Sequence, residues 1–145
     1  MLCENDEQVE RCYESLYTRM FVLNLTPTGA HWRQWGGEHP LGDDWALSGS
    51  HRSTRFTRAE LLDICAKVRP ADIDHMLYLG TPEDVAARAV KWYRAMGLTQ
   101  LPQILHWDAA TFACPELAEP APSGVPRWHE LHLRYLAHLN KMLVS

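Results

Sequence analysis

Between His31 and His51 the chain gathers side chains able to move protons or grip a flat ligand: His31, Trp32, Trp35, His39, Asp43, Asp44 and Trp45. Imidazoles titrate near neutral pH, carboxylates accept protons, and indole faces stack on planar rings. Glycines at 36, 37, 42 and 49 give such a stretch hinges. An aromatic, glycine-hinged loop suits a lid over a ring cofactor and an apolar substrate. Trp35, His39, Asp43 and Trp45 are the candidate substrate and lid residues. The same tryptophans serve equally well as filling over a small core, and both readings stand.

A second candidate is the turn Gly80-Thr81-Pro82, where an apolar run meets a helix start. Strand ends that run into helix N-termini bind anions, phosphates included. Gly80 and Thr81 are therefore candidate cofactor-binding residues. The plainer reading is a good N-cap and nothing more.

Other groups lead nowhere specific. His129 and His132 stand three apart in "HELH", which lacks the spacing of the H-E-x-x-H zinc motif, and no third ligand is in register with them. No metal site is expected. His106 follows an apolar run and reads as a core or surface residue before it reads as a ligand. Asp43 and Asp44 are adjacent, and neighbours in an extended loop point apart, so an acid pair for glycoside chemistry is unsupported. There is no nucleophile elbow, P-loop or G-x-G-x-x-G; "GGEHPLG" lacks the Lys-Ser/Thr that a phosphate loop needs. Cys3, Cys12, Cys65 and Cys114 are irregularly spaced and read as small buried thiols.

These residues need elements to hold them. Val9, Cys12, Leu16, Met20 and Leu23 recur at helical spacing and predict one helix over 7–24, within a first segment 1–25. Residues 26–56 read as a long, lid-like insertion. Thr57 and Glu60 have capping-box spacing and open a helix predicted to reach Arg69, where Pro70 ends it. "ADID" reads as a turn and "HMLYLG" (His75 to Gly80) as a buried strand. Thr81 then caps a helix with Pro82 in its first turn and Gly97 as its stop. "LPQILHW" reads as a second strand, completing a β-α-β unit within 57–108. Residues 109–126, rich in proline, form a surface excursion before a helix over about Arg127–Leu143.

With 145 residues the chain suits one domain, and a net charge of −4 with 46% hydrophobic residues gives no electrostatic grip on nucleic acid or anionic membrane. The acidic N-terminus and the lack of a long apolar run make a cytoplasmic location the expectation.

"HPLGDDW" (His39 to Trp45) followed by "YLGTPEDVAARAVKWYRAMGL" (Tyr78 to Leu98) resembles the C-terminal part of the luciferase-like monooxygenases, in particular the deazaflavin-dependent, phthiodiolone ketoreductase-like branch. The resemblance runs from the first helix to about Asp108. It implies an α/β fold, a partial (β/α)8 barrel made of the last two β/α units plus the insertion, rich in helix. It also implies hydride transfer to a carbonyl, or monooxygenation, with deazaflavin (coenzyme F-420) or FMN as cofactor and a small-molecule substrate. The family's principal catalytic side chains come from early strands that match nothing here, so no catalytic residue is assigned. The chain is expected to be inactive alone, with the missing barrel half or another copy of itself as partner. The other expectation is a non-catalytic interaction module that pairs with another chain through open strand edges and an exposed apolar stripe.

Overall fold

The structure is a computed structural model and describes residues 1–25, 29–43, 56–97 and 109–144. It is mostly helical: α1 (Asp6–Glu14), α2 (Leu16–Leu25), α3 (Gly29–Gln34), α4 (Arg58–Ala66), α5 (Pro70–Met76), α6 (Pro82–Met96) and α7 (Arg127–Val144). Short 3-10 turns occupy Ala109–Phe112 and Pro115–Ala118. The chain divides into two compact units, one built from 1–12 and 78–145, the other from 13–77.

In the unit 13–77, α2 packs against α4 and α5. Its core includes Val22, Trp32, Cys65, Val68 and Ile73, all nearly or fully buried. The predicted first helix is in fact two helices, α1 and α2, broken at Ser15, whose carbonyl accepts the Arg19 N–H of the new helix. The apolar spacing runs through the break and so conceals it. Helix α4 opens as expected. The Thr57 hydroxyl accepts the Glu60 N–H at 3.3 Å, and the Glu60 carboxylate takes the Thr57 N–H at 2.7 Å.

The reading of "ADID" as a turn and of a strand over His75–Gly80 needs correction. Residues Pro70–Met76 form α5, which takes His75 and Met76, and extended backbone begins only at Leu77 (φ −129°, ψ 141°). Pro70 cannot continue α4, but its fixed φ suits the first position of a new helix. Asp72 completes that start by accepting the Arg69 N–H at 2.9 Å.

In the other unit, α6 lies along α7. Val85, Ala89 and Tyr93 bury one stripe of α6; Leu131, Tyr135 and Leu139 bury one of α7. Gly97 ends α6 in the left-handed conformation (φ 62°, ψ 25°), with its N–H on the Arg94 and Tyr93 carbonyls. The only β-pairing among the described residues is a parallel bridge, Leu2 with Gly80, and an antiparallel one, Pro120 with Pro126. The predicted strand at 101–107 lies outside the described residues, as does Trp45.

Candidate functional site

The parallel bridge carries three hydrogen bonds. The Met1 N donates to the Tyr78 carbonyl at 2.7 Å, the Gly80 N–H to Met1 at 3.3 Å, and the Cys3 N–H to Gly80 at 3.0 Å. Each of the paired segments runs straight into a helix. Asn5 opens α1, its side chain accepting the Gln8 N–H at 3.0 Å, and Thr81 opens α6. Two helix N-termini therefore stand at the C-terminal end of one parallel pair. In α/β proteins ligands bind at that end of the strands.

The groups at the start of α6 are already engaged. Both backbone polar groups of Gly80 belong to the ladder. The Thr81 hydroxyl accepts the Asp84 N–H at 3.3 Å and donates to the Asp84 carboxylate at 2.7 Å. Glu83, in the same first turn, receives Arg134 at 2.9 Å and His138 at 2.8 Å from α7. The Arg134 hydrogen bond leads the interactions that hold Glu83 below the usual carboxylate range. The positive end of the helix dipole is thus met by the chain's own carboxylates, of which Glu83 is in turn paired with Arg134 and His138. Gly80 and Thr81 hold a strand end and a helix start in place.

The start of α1 carries a polar network that the sequence reading missed. Gln8, almost fully buried, donates to Glu116 at 3.2 Å and to Glu4 at 3.4 Å, and accepts the Glu4 N–H at 2.8 Å. Arg11 pairs with Glu116 and Arg127 with Glu4. The signal available was Asn5-x-x-Gln8, a helix-start spacing hidden by an acidic run that reads as plain surface. Every carboxylate in this network faces an arginine, and these are structural ties between α1, the 115–118 turn and the start of α7.

In the unit 13–77 the structure brings Trp35 and His39 of the insertion close to one residue, Trp32. Trp32 is fully buried, with its ring 5.0 Å from His39, edge-on, and 5.9 Å from Trp35. His39 is buried. Its Nδ1 accepts the Leu41 N–H at 3.1 Å, which leaves the proton on Nε2. Burial pushes its pKa down, against a backbone hydrogen bond at Leu23, so the ring is neutral at pH 7. Trp35 stacks on His75 at 5.1 Å and donates its indole N–H to Asp72 at 3.3 Å. Asp43 pairs with Arg33, and its carbonyl accepts the Gly29 N–H at 3.0 Å. The described part of the insertion is thus anchored by Trp32 in the core and by Trp35 on α5.

Asp72 is the centre of this unit's electrostatics. Its burial alone would raise the pKa, but the Arg69 hydrogen bonds, the Arg69 charge and the Trp35 indole outweigh it and hold the carboxyl below the usual range. Gly37 packs directly on this node. A Cβ there would stand 2.9 Å from Asp72 Oδ1 and 3.0 Å from Trp35 Nε1. Arg69 and Asp72 were not singled out in the sequence, because a residue before proline and an acid in "PAD" look like a turn.

A cavity of about 30 Å³ lined by Met20, Leu23, Phe56, Leu61 and Ile64, with Asn24, has room for about a single water and none for a ring cofactor. Among the described residues no group of three or more His, Cys, Asp or Glu is placed to hold a metal ion. On α7, His129 lies against Trp128, His132 against Tyr135, and His138 on Glu83. No described helix is long and apolar enough to cross a membrane.

Comparison with known proteins gives a relationship. The phthiodiolone/phenolphthiodiolone dimycocerosates ketoreductase of Mycobacterium kansasii is 28% identical over 136 residues, covering 94% of this chain and 34% of the relative. Ketoreductases of the same description from Mycobacterium bovis and Mycobacterium tuberculosis are 28% identical over 88 residues, 61% of this chain and 23% of theirs. The chain is thus related to these ketoreductases and spans at most about a third of their length. No family model matches it, and no solved structure does.

Proposed function

We propose that this chain is the C-terminal segment of a luciferase-like, flavin- or deazaflavin-dependent oxidoreductase that reduces a carbonyl on a small-molecule substrate in the cytoplasm. The observation that carries the reading is the parallel pairing of Leu2 with Gly80, in which both partners lead into capped helices. A parallel pairing that leads into two helices is the relation neighbouring β/α units of a parallel barrel have, and it supports this reading. The relationship to the mycobacterial ketoreductases supports it over nearly the whole chain.

In the complete enzyme a deazaflavin or FMN supplies the hydride. This segment's part is positioning. Gly80 and Thr81 fix one strand end and helix start, and by the resemblance we assign Trp35, His39, Asp43 and Trp45 to shaping substrate choice. Because the start of α6 is filled by Asp84 and Glu83, the cofactor phosphate is held by the part of the barrel outside this chain. The segment alone has no turnover.

Absorbance titration tests this. Deazaflavin or FMN added to the chain alone keeps its free spectrum. Added to the chain co-expressed with the remaining two-thirds of the M. kansasii ketoreductase, it shows a perturbed spectrum and a measurable affinity. An unchanged spectrum in both cases removes the proposal.

A second reading, a non-catalytic module that pairs with another chain, is favoured by Trp92 and Met96, one turn apart on α6 and exposed at 42% and 59%. A monodisperse monomer in light scattering at high concentration counts against it.

A further inference from the structure

We propose that Cys3 and Cys12 form a reversible disulfide that fastens the parallel segment to α1. Their sulfurs lie 3.6 Å apart, and both side chains are fully buried. A disulfide needs about 2.05 Å between sulfurs, so a small side-chain rotation covers the difference. Cys3 ends the three-bond ladder, and Cys12 lies in the second half of α1. The functional reading above gives neither thiol a role.

A third thiol makes the geometry selective. Cys114 is also fully buried, and its sulfur sits 3.6 Å from the Gln8 carbonyl. It touches Cys12 as well, so Cys12 stands between two potential partners. The hydrogen bond with Cys3 and burial push the Cys12 thiol strongly upward, and burial leads those that push Cys114 up to about 12. Protonated, buried thiols are poor nucleophiles. Oxidation therefore waits for the 1–3 segment to detach, which costs three backbone hydrogen bonds. That movement exposes Cys3 and leaves Cys114 in place, so Cys3 reacts first.

The oxidant is a small disulfide such as oxidised glutathione. The Cys3 thiolate attacks one of its sulfurs, forming a mixed disulfide and releasing one glutathione thiolate. The Cys12 thiolate then attacks the Cys3 sulfur, closing the intramolecular bond and releasing the second glutathione. In all, the protein loses two electrons and two protons, and one glutathione disulfide becomes two thiols.

The test uses the full chain. After incubation with oxidised glutathione and an acid quench, free thiols are alkylated under denaturing conditions and the digest is mapped by mass spectrometry. Expected is a protein lighter by two hydrogen atoms, with Cys3 linked to Cys12, with Cys65 and Cys114 alkylated, and with the link lost on adding dithiothreitol. A Cys114→Ser variant gives the same link. Four alkylated cysteines, a stable glutathione adduct, or a bond to Cys114 or Cys65 overturns the proposal.

Discussion

Arg69 grips Asp72 with both arms of its guanidinium, Nε to Oδ2 at 3.0 Å and Nη2 to Oδ1 at 2.7 Å, and donates its backbone N–H to the same carboxylate. Asp72 is 1% exposed, whereas the Arg69 side chain is 54% exposed. The pair therefore owes its worth to satisfying a buried anion rather than to a surface charge contact. Asp72→Ala leaves Arg69 able to turn to solvent but removes the group that joins α5, Trp35 and the N-terminal turn. We expect a loss of about 3 kcal/mol, read as a lower urea midpoint with an unchanged slope. A loss under about 1 kcal/mol means the node is ornamental.

Two groups in the same unit set a pH dependence. His39 and Asp72 both have folded-state pKa values below their ordinary ones, so the unfolded chain binds protons more readily than the folded one. Their contributions are complete above the unfolded values and fade as pH falls through the folded ones. Stability of the wild type should decline first below about pH 6.5, from His39 together with His132, whose pKa burial also lowers, and again below about pH 4, from Asp72 and the other carboxyls held below their ordinary range. His39→Asn should shrink the first decline and leave the second, in urea melts taken from pH 8 to pH 3.

Glycines in this region differ in what they tolerate. A Cβ on Gly29 would lie 2.5 Å from the Asp43 Cα, which is backbone and cannot step aside. Gly36 meets nothing within 4 Å, and only its positive φ of 76° resists a side chain. Gly29→Ala is expected to cost more than Gly36→Ala, which costs about 1 kcal/mol. Equal thermal midpoints for the two variants would contradict the close packing at Gly29.

Thr81 acts in this structure as a cap. Thr81→Ala should lower stability by about 1 kcal/mol and speed hydrogen exchange in the first turn of α6, while Thr81→Ser keeps both near wild type. The substitution should do this without the cofactor present, which separates capping from any ligand contact.

Local signals reached the sequence reader intact. Thr57 with Glu60, Thr81 with Pro82, and Gly97 each act within a few residues, and each holds the position its chemistry implies. Where two local rules compete, the reading failed. Pro70 stops α4 and starts α5, and only the tertiary partners of Asp72 decide that a helix follows. Ser15 breaks a period that its neighbours carry through. The pairing of Leu2 with Gly80 was out of reach. Three residues show no alternation, and their partner lies 78 positions away. The same holds for Trp32 and His39: composition marked them as ring-bearing, and only packing places one in a core and makes the other a neutral, buried imidazole.

The unit holding α6 and α7 is discontinuous, with residues 1–12 on one side of the 13–77 segment and the rest beyond it. On a ribosome, 13–77 has all of its chain before the first pairing residue of its neighbour, Tyr78, is made. Residues 1–3 meet their ladder partner only once residues 78–80 have emerged. Closing so long a loop is entropically slow, and the ladder is a late event in folding. Until then Leu2 and Cys3 lack the Gly80 partner that the folded chain gives them, and translation speed across 13–77 sets how long that lasts.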